Sequence, residues 1–378
     1  MKNKLLTTAL VSSMLGAGVT ASVAQTTVSG NLDLSYMASS AEGNSGNVNS
    51  FRGFGKESQI NLANKGKLNN GMDYAAGFSL ELDGPDATGT GVHEENVYID
   101  FISGNTTLSI GSDHVQNPDI NPTMLAGFGY IRVDNTIAIN NVSTAVTGLY
   151  SAGANTPVSA YGVSLTQKTP VGSFSALYVP TASTNVGSLN DVHNSSNAAA
   201  AEPGITRGAS ESAYELGFRG DLGVKGLTAM AFYNKSDAKL NTATGTEKIG
   251  GGDEEGRRFA ATYVTGPFSI AADYAKVDGV NTGIATVANV AGEEVKSRSI
   301  GLGYAITPNL SASVTRAKAE ANGTVANRTN ADEKIDVLAL GYSLGPVAIQ
   351  AQYKQADNVA GYSGADVELI AVKVGTRF

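Results

Sequence analysis

Cysteine and tryptophan are absent from the 378 residues, and histidine occurs only three times. Without cysteine there is no thiolate zinc site, no iron–sulfur cluster and no disulfide scaffold. Three histidines leave little for a multi-histidine metal enzyme. Charge is scarce too, at 16% of residues, where soluble domains carry about 25%. The net charge of -8 gives no overall basic field for nucleic acid. Sparse charge with a mean hydropathy of -0.07 argues against intrinsic disorder. After Ala24 no long uncharged apolar run remains, and a helical membrane span needs about 20 such residues. What is plentiful is glycine, 45 residues, together with 15 tyrosines. That composition points to an all-β chain.

The N-terminus reads as an address. Lys2 and Lys4 precede an apolar, uncharged stretch from Leu5 to Val19, and the segment closes on Ala21-Ser22-Val23-Ala24. A basic head, an apolar middle and small-x-small before the cut are the layout of a secretory leader. The expectation is a signal peptide over 1–24 and a mature domain over 25–378. Loss of Lys2 and Lys4 makes the exported chain more acidic still.

From Val28 onward the apolar residues fall two apart. Val28, Leu32, Leu34 and Tyr36 share one face, with Ser29, Asn31, Asp33 and Ser35 on the other. The pattern returns at Met72–Leu82, Phe268–Tyr274 and Val347–Tyr353. A helix would need spacings of three and four; a strand needs two. Segments of this kind are predicted near 26–37, 57–64, 71–82, 95–102, 106–112, 158–167, 172–180, 211–219 and 226–236. They continue near 255–264, 268–277, 294–306, 310–319, 332–343, 347–355 and 365–378. The count is about 16. Short connections with Gly, Pro or Asn, such as Ser103-Gly104-Asn105, Thr265-Gly266-Pro267 and Leu344-Gly345-Pro346, alternate with long polar ones.

A soluble sandwich or a secreted solenoid also alternates, with its apolar face inside. Two features favour a transmembrane antiparallel β-barrel. Tyrosines gather at strand ends (Tyr36, Tyr178, Tyr233, Tyr263, Tyr274, Tyr304, Tyr342, Tyr353), as interfacial girdles require. The second face is rich in Gly, Ser, Asn, Asp, Gln, Lys and Arg, which suits a water-filled lumen. Closure would also leave no unpaired strand edge in lipid.

The final strand is the most specific element: Ile370, Val372, Val374, Thr376 and Phe378 alternate with Lys373, Gly375 and Arg377. With the leader and the first strand, Val28-Ser-Gly-Asn-Leu-Asp-Leu, the chain resembles the general diffusion porins of Gram-negative outer membranes over its whole mature length. The resemblance implies a 16-stranded barrel, short periplasmic turns, long external loops and a homotrimer embedded among lipid and lipopolysaccharide. It implies passive diffusion of small hydrophilic solutes and ions, with no enzyme activity and no cofactor. It also implies that Phe378 is the signal read by the barrel-insertion machinery. The alternative is a substrate-specific outer-membrane channel.

In that family the third external loop folds into the barrel, where its acids face basic residues on the wall. The third long connection here spans 113–157 and is the longest, as befits a functional loop. It holds Asp113, Asp119 and Asp134, with Arg132. The expected basic wall is Arg52, Lys56, Arg219, Arg258 and Arg298, and the three aspartates imply a modest cation preference. The Pro-Glu-Phe-Gly element of enteric porins is missing; Met124-Leu-Ala-Gly-Phe-Gly-Tyr130 stands in that region. Other chemistry finds no support. His93-Glu94-Glu95 lacks a second histidine at zinc-helix spacing, and Asp191, His193 and Ser195 sit in a low-complexity stretch. Gly251–Glu255 lacks the spacing of a calcium loop.

Overall fold

The computed structural model describes residues 25–42, 50–82, 93–112, 161–179, 213–236, 254–280, 293–322 and 331–378. The leader and the 113–157 segment, with Asp113, Asp119, Arg132 and Asp134, lie outside these residues.

Sixteen strands follow one another. They are β1 (Gln25–Glu42), β2 (Phe51–Lys67), β3 (Asp73–Glu81), β4 (His93–Ser103), β5 (Thr106–Ser112), β6 (Tyr161–Thr169), β7 (Gly172–Val179) and β8 (Ala213–Gly220). Then come β9 (Leu227–Ser236), β10 (Glu254–Thr265), β11 (Phe268–Val280), β12 (Glu293–Thr307), β13 (Leu310–Asn322), β14 (Glu333–Leu344), β15 (Val347–Asp357) and β16 (Asp366–Arg377). Every strand pairs antiparallel with its sequence neighbours, and β1 pairs with β16, closing a barrel. The fold is a 16-stranded closed β-barrel. No described helix is long and apolar enough to cross a membrane.

Tight turns are possible at one rim because the sequence supplies the backbone they need. Gly266 and Gly345 sit at φ 56 and 58, each followed by proline. Positive then negative φ is the order of a two-residue hairpin turn that matches strand twist. The opposite rim carries the long connections.

Alternation decides the two faces. Val28, Leu34, Ile99, Leu165, Leu216, Ile270, Leu302, Leu338 and Ile370 are exposed on the outer wall. Aromatics bracket this apolar band. On the turn side, Phe174 packs on Phe218 with ring centroids 4.8 Å apart, and Phe268 on Tyr304 at 4.9 Å. On the loop side, Tyr36 meets Phe54 at 5.1 Å and Tyr214 meets Tyr233 at 5.9 Å. Two aromatic rings around an apolar belt match the two interfaces of a membrane.

The seam is closed at its last residue. Gly30 N–H donates to the Phe378 carbonyl at 2.8 Å, and Phe378 N–H donates back to Gly30 at 3.1 Å. A Cβ on Gly30 would stand 2.6 Å from the Phe378 ring and 2.5 Å from the Gln59 carbonyl oxygen. Glycine there leaves the space the ring occupies. Phe378 lies exposed on the outer face, beside the turn-side rim.

Candidate pore lining

The inner face is where chemistry can reside, and its residues follow from register. On β8, Tyr214, Leu216 and Phe218 point outward, so Glu215, Gly217 and Arg219 point inward. On β10, Phe259 and Tyr263 point outward, so Arg258 points inward. Arg258 is buried, and its Nη2 donates to Asp273 Oδ2 of β11 at 3.1 Å. Nearer the seam, Lys373 donates to Asp33 Oδ2 at 2.7 Å. Gly375 beside it leaves room for the Asp33 carboxylate, which an added Cβ would strike. A neutral chain continues the polar lining: Asn96 Nδ2 donates to Ser79 Oγ at 3.1 Å, and Ser79 donates to Asn61 Oδ1 at 2.8 Å.

Three of the five basic residues expected on the inner wall are elsewhere. Arg52 and Lys56 share a face with Phe54, and register pairs them with Ala38 and Leu34 of the outer wall. Arg298 stands in the outward row with Ile300, Leu302 and Tyr304 and reaches Glu320 at 3.5 Å. The reason is strand length. Fifteen residues in β12 rise about 50 Å along the strand, whereas the apolar belt of such barrels is about 25 Å tall. The excess projects past the loop-side aromatics, where outward charges are tolerated. There they pair: Arg316 grips Asp336 through two bonds of 2.7 and 2.8 Å, and Lys276 reaches Glu294 at 2.7 Å. Arg257 pairs with Glu255 on the same face.

The face rich in polar residues is the inner one, yet the loop-side half of β12–β16 carries an apolar cluster there, among buried polar residues such as Ser297, Glu333 and Lys354. Val295, Ala317, Ala319, Ile335, Val337 and Val367 form one buried cluster. Val359, Tyr362 and Ala365, from the β15–β16 connection, belong to it. That connection therefore folds inward onto the wall. Asn358, in the left-handed conformation at φ 54, pins it: its Nδ2 donates to the Asp332 carbonyl at 3.1 Å, and its Oδ1 accepts from Gly364 N–H at 3.0 Å. Asparagine tolerates that backbone better than most residues. The signal was present in Val337–Leu340, which is apolar on both faces, as in a strand covered on two sides.

A hollow of about 370 Å³ lined by Tyr263, Phe268, Leu302, Tyr304, Val314 and Leu338 lies on the outer face. Its walls suit an acyl chain rather than a polar solute. No group of three metal-ligating side chains occurs among the described residues.

A family profile of Gram-negative porins matches residues 7–358. The chain belongs to the Gram-negative porin family. Solved structures agree on the fold. OmpF of Salmonella typhi, in complex with daunomycin, superposes with a TM-score of 0.62 at 12% identity, covering 94% of this chain and 98% of that one. An anion-selective porin from Comamonas acidovorans gives 0.61 at 11% identity, over 94% and 100%. OmpT of Vibrio cholerae, in a trimer form, gives 0.57 at 15% identity, over 93% and 99%. No curated protein sequence matches. The porin is an outer-membrane channel with a β-barrel wall.

Proposed function

We propose that this porin is a passive channel for small hydrophilic solutes and ions, with a modest preference for cations and no chemical step. The closed barrel with lipid-facing apolar residues outside and charged pairs inside carries this reading. Selectivity in such a passage comes from its width and the field of its lining charges. We assign the 113–157 segment, with Asp113, Asp119, Asp134 and Arg132, to the constriction, and Arg219 and Arg258 to the wall. Residues 1–24 serve as the cleaved leader and Phe378 as the insertion signal. The working assembly is a homotrimer among outer-membrane lipid and lipopolysaccharide.

Solute passage is tested by swelling of liposomes that contain the protein, in sugars of rising size. Swelling rates that fall steeply with solute mass, without preference among isomers, agree with general diffusion. A rate many times higher for one isomer supports a dedicated solute channel instead.

A further inference from the structure

One cross-strand row on the inner wall carries an oxygen at nearly every step. Register sets Asp100 of β4 opposite Ser109 of β5, and Ser109 opposite Ser164 of β6. Ser164 faces Leu177 of β7, Leu177 faces Glu215 of β8, and Glu215 faces Asn234 of β9. All six are buried. With strands about 4.8 Å apart, the row covers about 24 Å of wall. It also climbs. Asp100 lies close to the turn at Gly104, whereas Asn234 lies close to the loop end of β9. The row is thus an oblique track up the inner wall, interrupted only at Leu177.

Glu215 is its anomalous member. It is 3% exposed, and neither carboxylate oxygen has a hydrogen-bond partner. On the same inner face, the Arg258 guanidinium is engaged with Asp273 instead. Its cross-strand neighbour Asn234 does not answer Glu215 either: the carboxamide oxygen lies over Gly256 of β10, on the far side of β9, where an added Cβ would strike Oδ1. Withdrawing a carboxylate from water without a partner is costly, and a cation brought to it relieves that cost. A single carboxylate lacks the several carboxylates of a tight divalent site, and no group of three metal-ligating side chains occurs among the described residues. That donor set suits a weakly held, singly charged ion.

We propose that Glu215 is a binding position for a monovalent inorganic cation in the wall of the pore. Ser164, Ser109 and Asp100 continue it toward the periplasmic mouth. The inference rests on the channel reading and gives that reading a wall residue that sets ion preference.

The test uses the full-length protein in planar bilayers under a tenfold KCl gradient, with Glu215→Gln and Glu215→Asp beside wild type. Glu215→Gln is expected to lower the potassium-to-chloride permeability ratio by about twofold or more, while Glu215→Asp stays near wild type. The wild-type conductance should also bend toward saturation with rising KCl, as a binding site requires. An unchanged permeability ratio in Glu215→Gln overturns the site. Should that variant not assemble, the wild-type curve decides: saturation supports the site, and strict proportionality to bulk conductivity overturns it. A wild-type barrel that inserts and carries no current overturns the channel reading itself, together with this inference.

Discussion

At the scale of single residues, two contacts hold positions that most substitutions would spoil. Phe378 sits over Gly30 and exchanges two backbone hydrogen bonds with it. Gly30→Val would put methyl groups where the ring and the Gln59 carbonyl lie, unseating the terminal residue. Its expected effect is the same as deleting Phe378: much less heat-modifiable barrel in the outer membrane, with ordinary conductance in whatever inserts. Normal assembly of both variants would remove Phe378 from the insertion step. The Arg258–Asp273 pair is the second case. Removing one member of a buried pair costs about 3–5 kcal/mol, more than the pair itself contributes. Asp273→Asn is therefore expected to lower the urea midpoint of the refolded barrel clearly, and the same midpoint as wild type would contradict it. Which basic residues face the lumen was not legible from residue type alone. Arg52, Lys56 and Arg298 needed register, because their strands run on past the aromatic level and carry charge outward there.

Among the elements, alternation was the legible signal, and it located all sixteen strands. The 106–112 strand carries the same bounds in the structure. Others run further than their apolar pattern. β1 continues to Glu42 through Ser39 and Ser40, because backbone pairing with β16 persists after the outer face has left the hydrocarbon. The inward fold of the β15–β16 connection was not legible. It depends on Val359 and Tyr362 joining a buried cluster with residues of β13 and β14, which lie outside the connection in sequence. Replacing Val359 and Tyr362 together by serine removes the apolar anchor while leaving the Asn358 hydrogen bonds. Single-channel records of that variant should show added open-state noise or higher conductance. Records identical to wild type would show that the anchor does not hold the connection inward. For the 113–157 segment, changing Asp113, Asp119 and Asp134 together to Asn is expected to shift the zero-current potential toward anion selectivity. No shift would remove the segment from the narrowest section.

For the whole molecule, the central claim is that a closed wall surrounds a continuous aqueous path. The wall follows from strand alternation and from the pairing of β1 with β16, which leaves no edge for lipid to meet. The path follows from charge kept inside, at Asp33–Lys373 and Arg258–Asp273, despite the cost of placing ions in a barrel core. The most direct measurement is current across a planar bilayer to which the detergent-purified, heat-modifiable protein is added at nanomolar concentration. The expected result is discrete, long-lived upward steps of uniform size that grow with salt concentration. A protein that shows a β-sheet spectrum, inserts into the bilayer and leaves it insulating would contradict it.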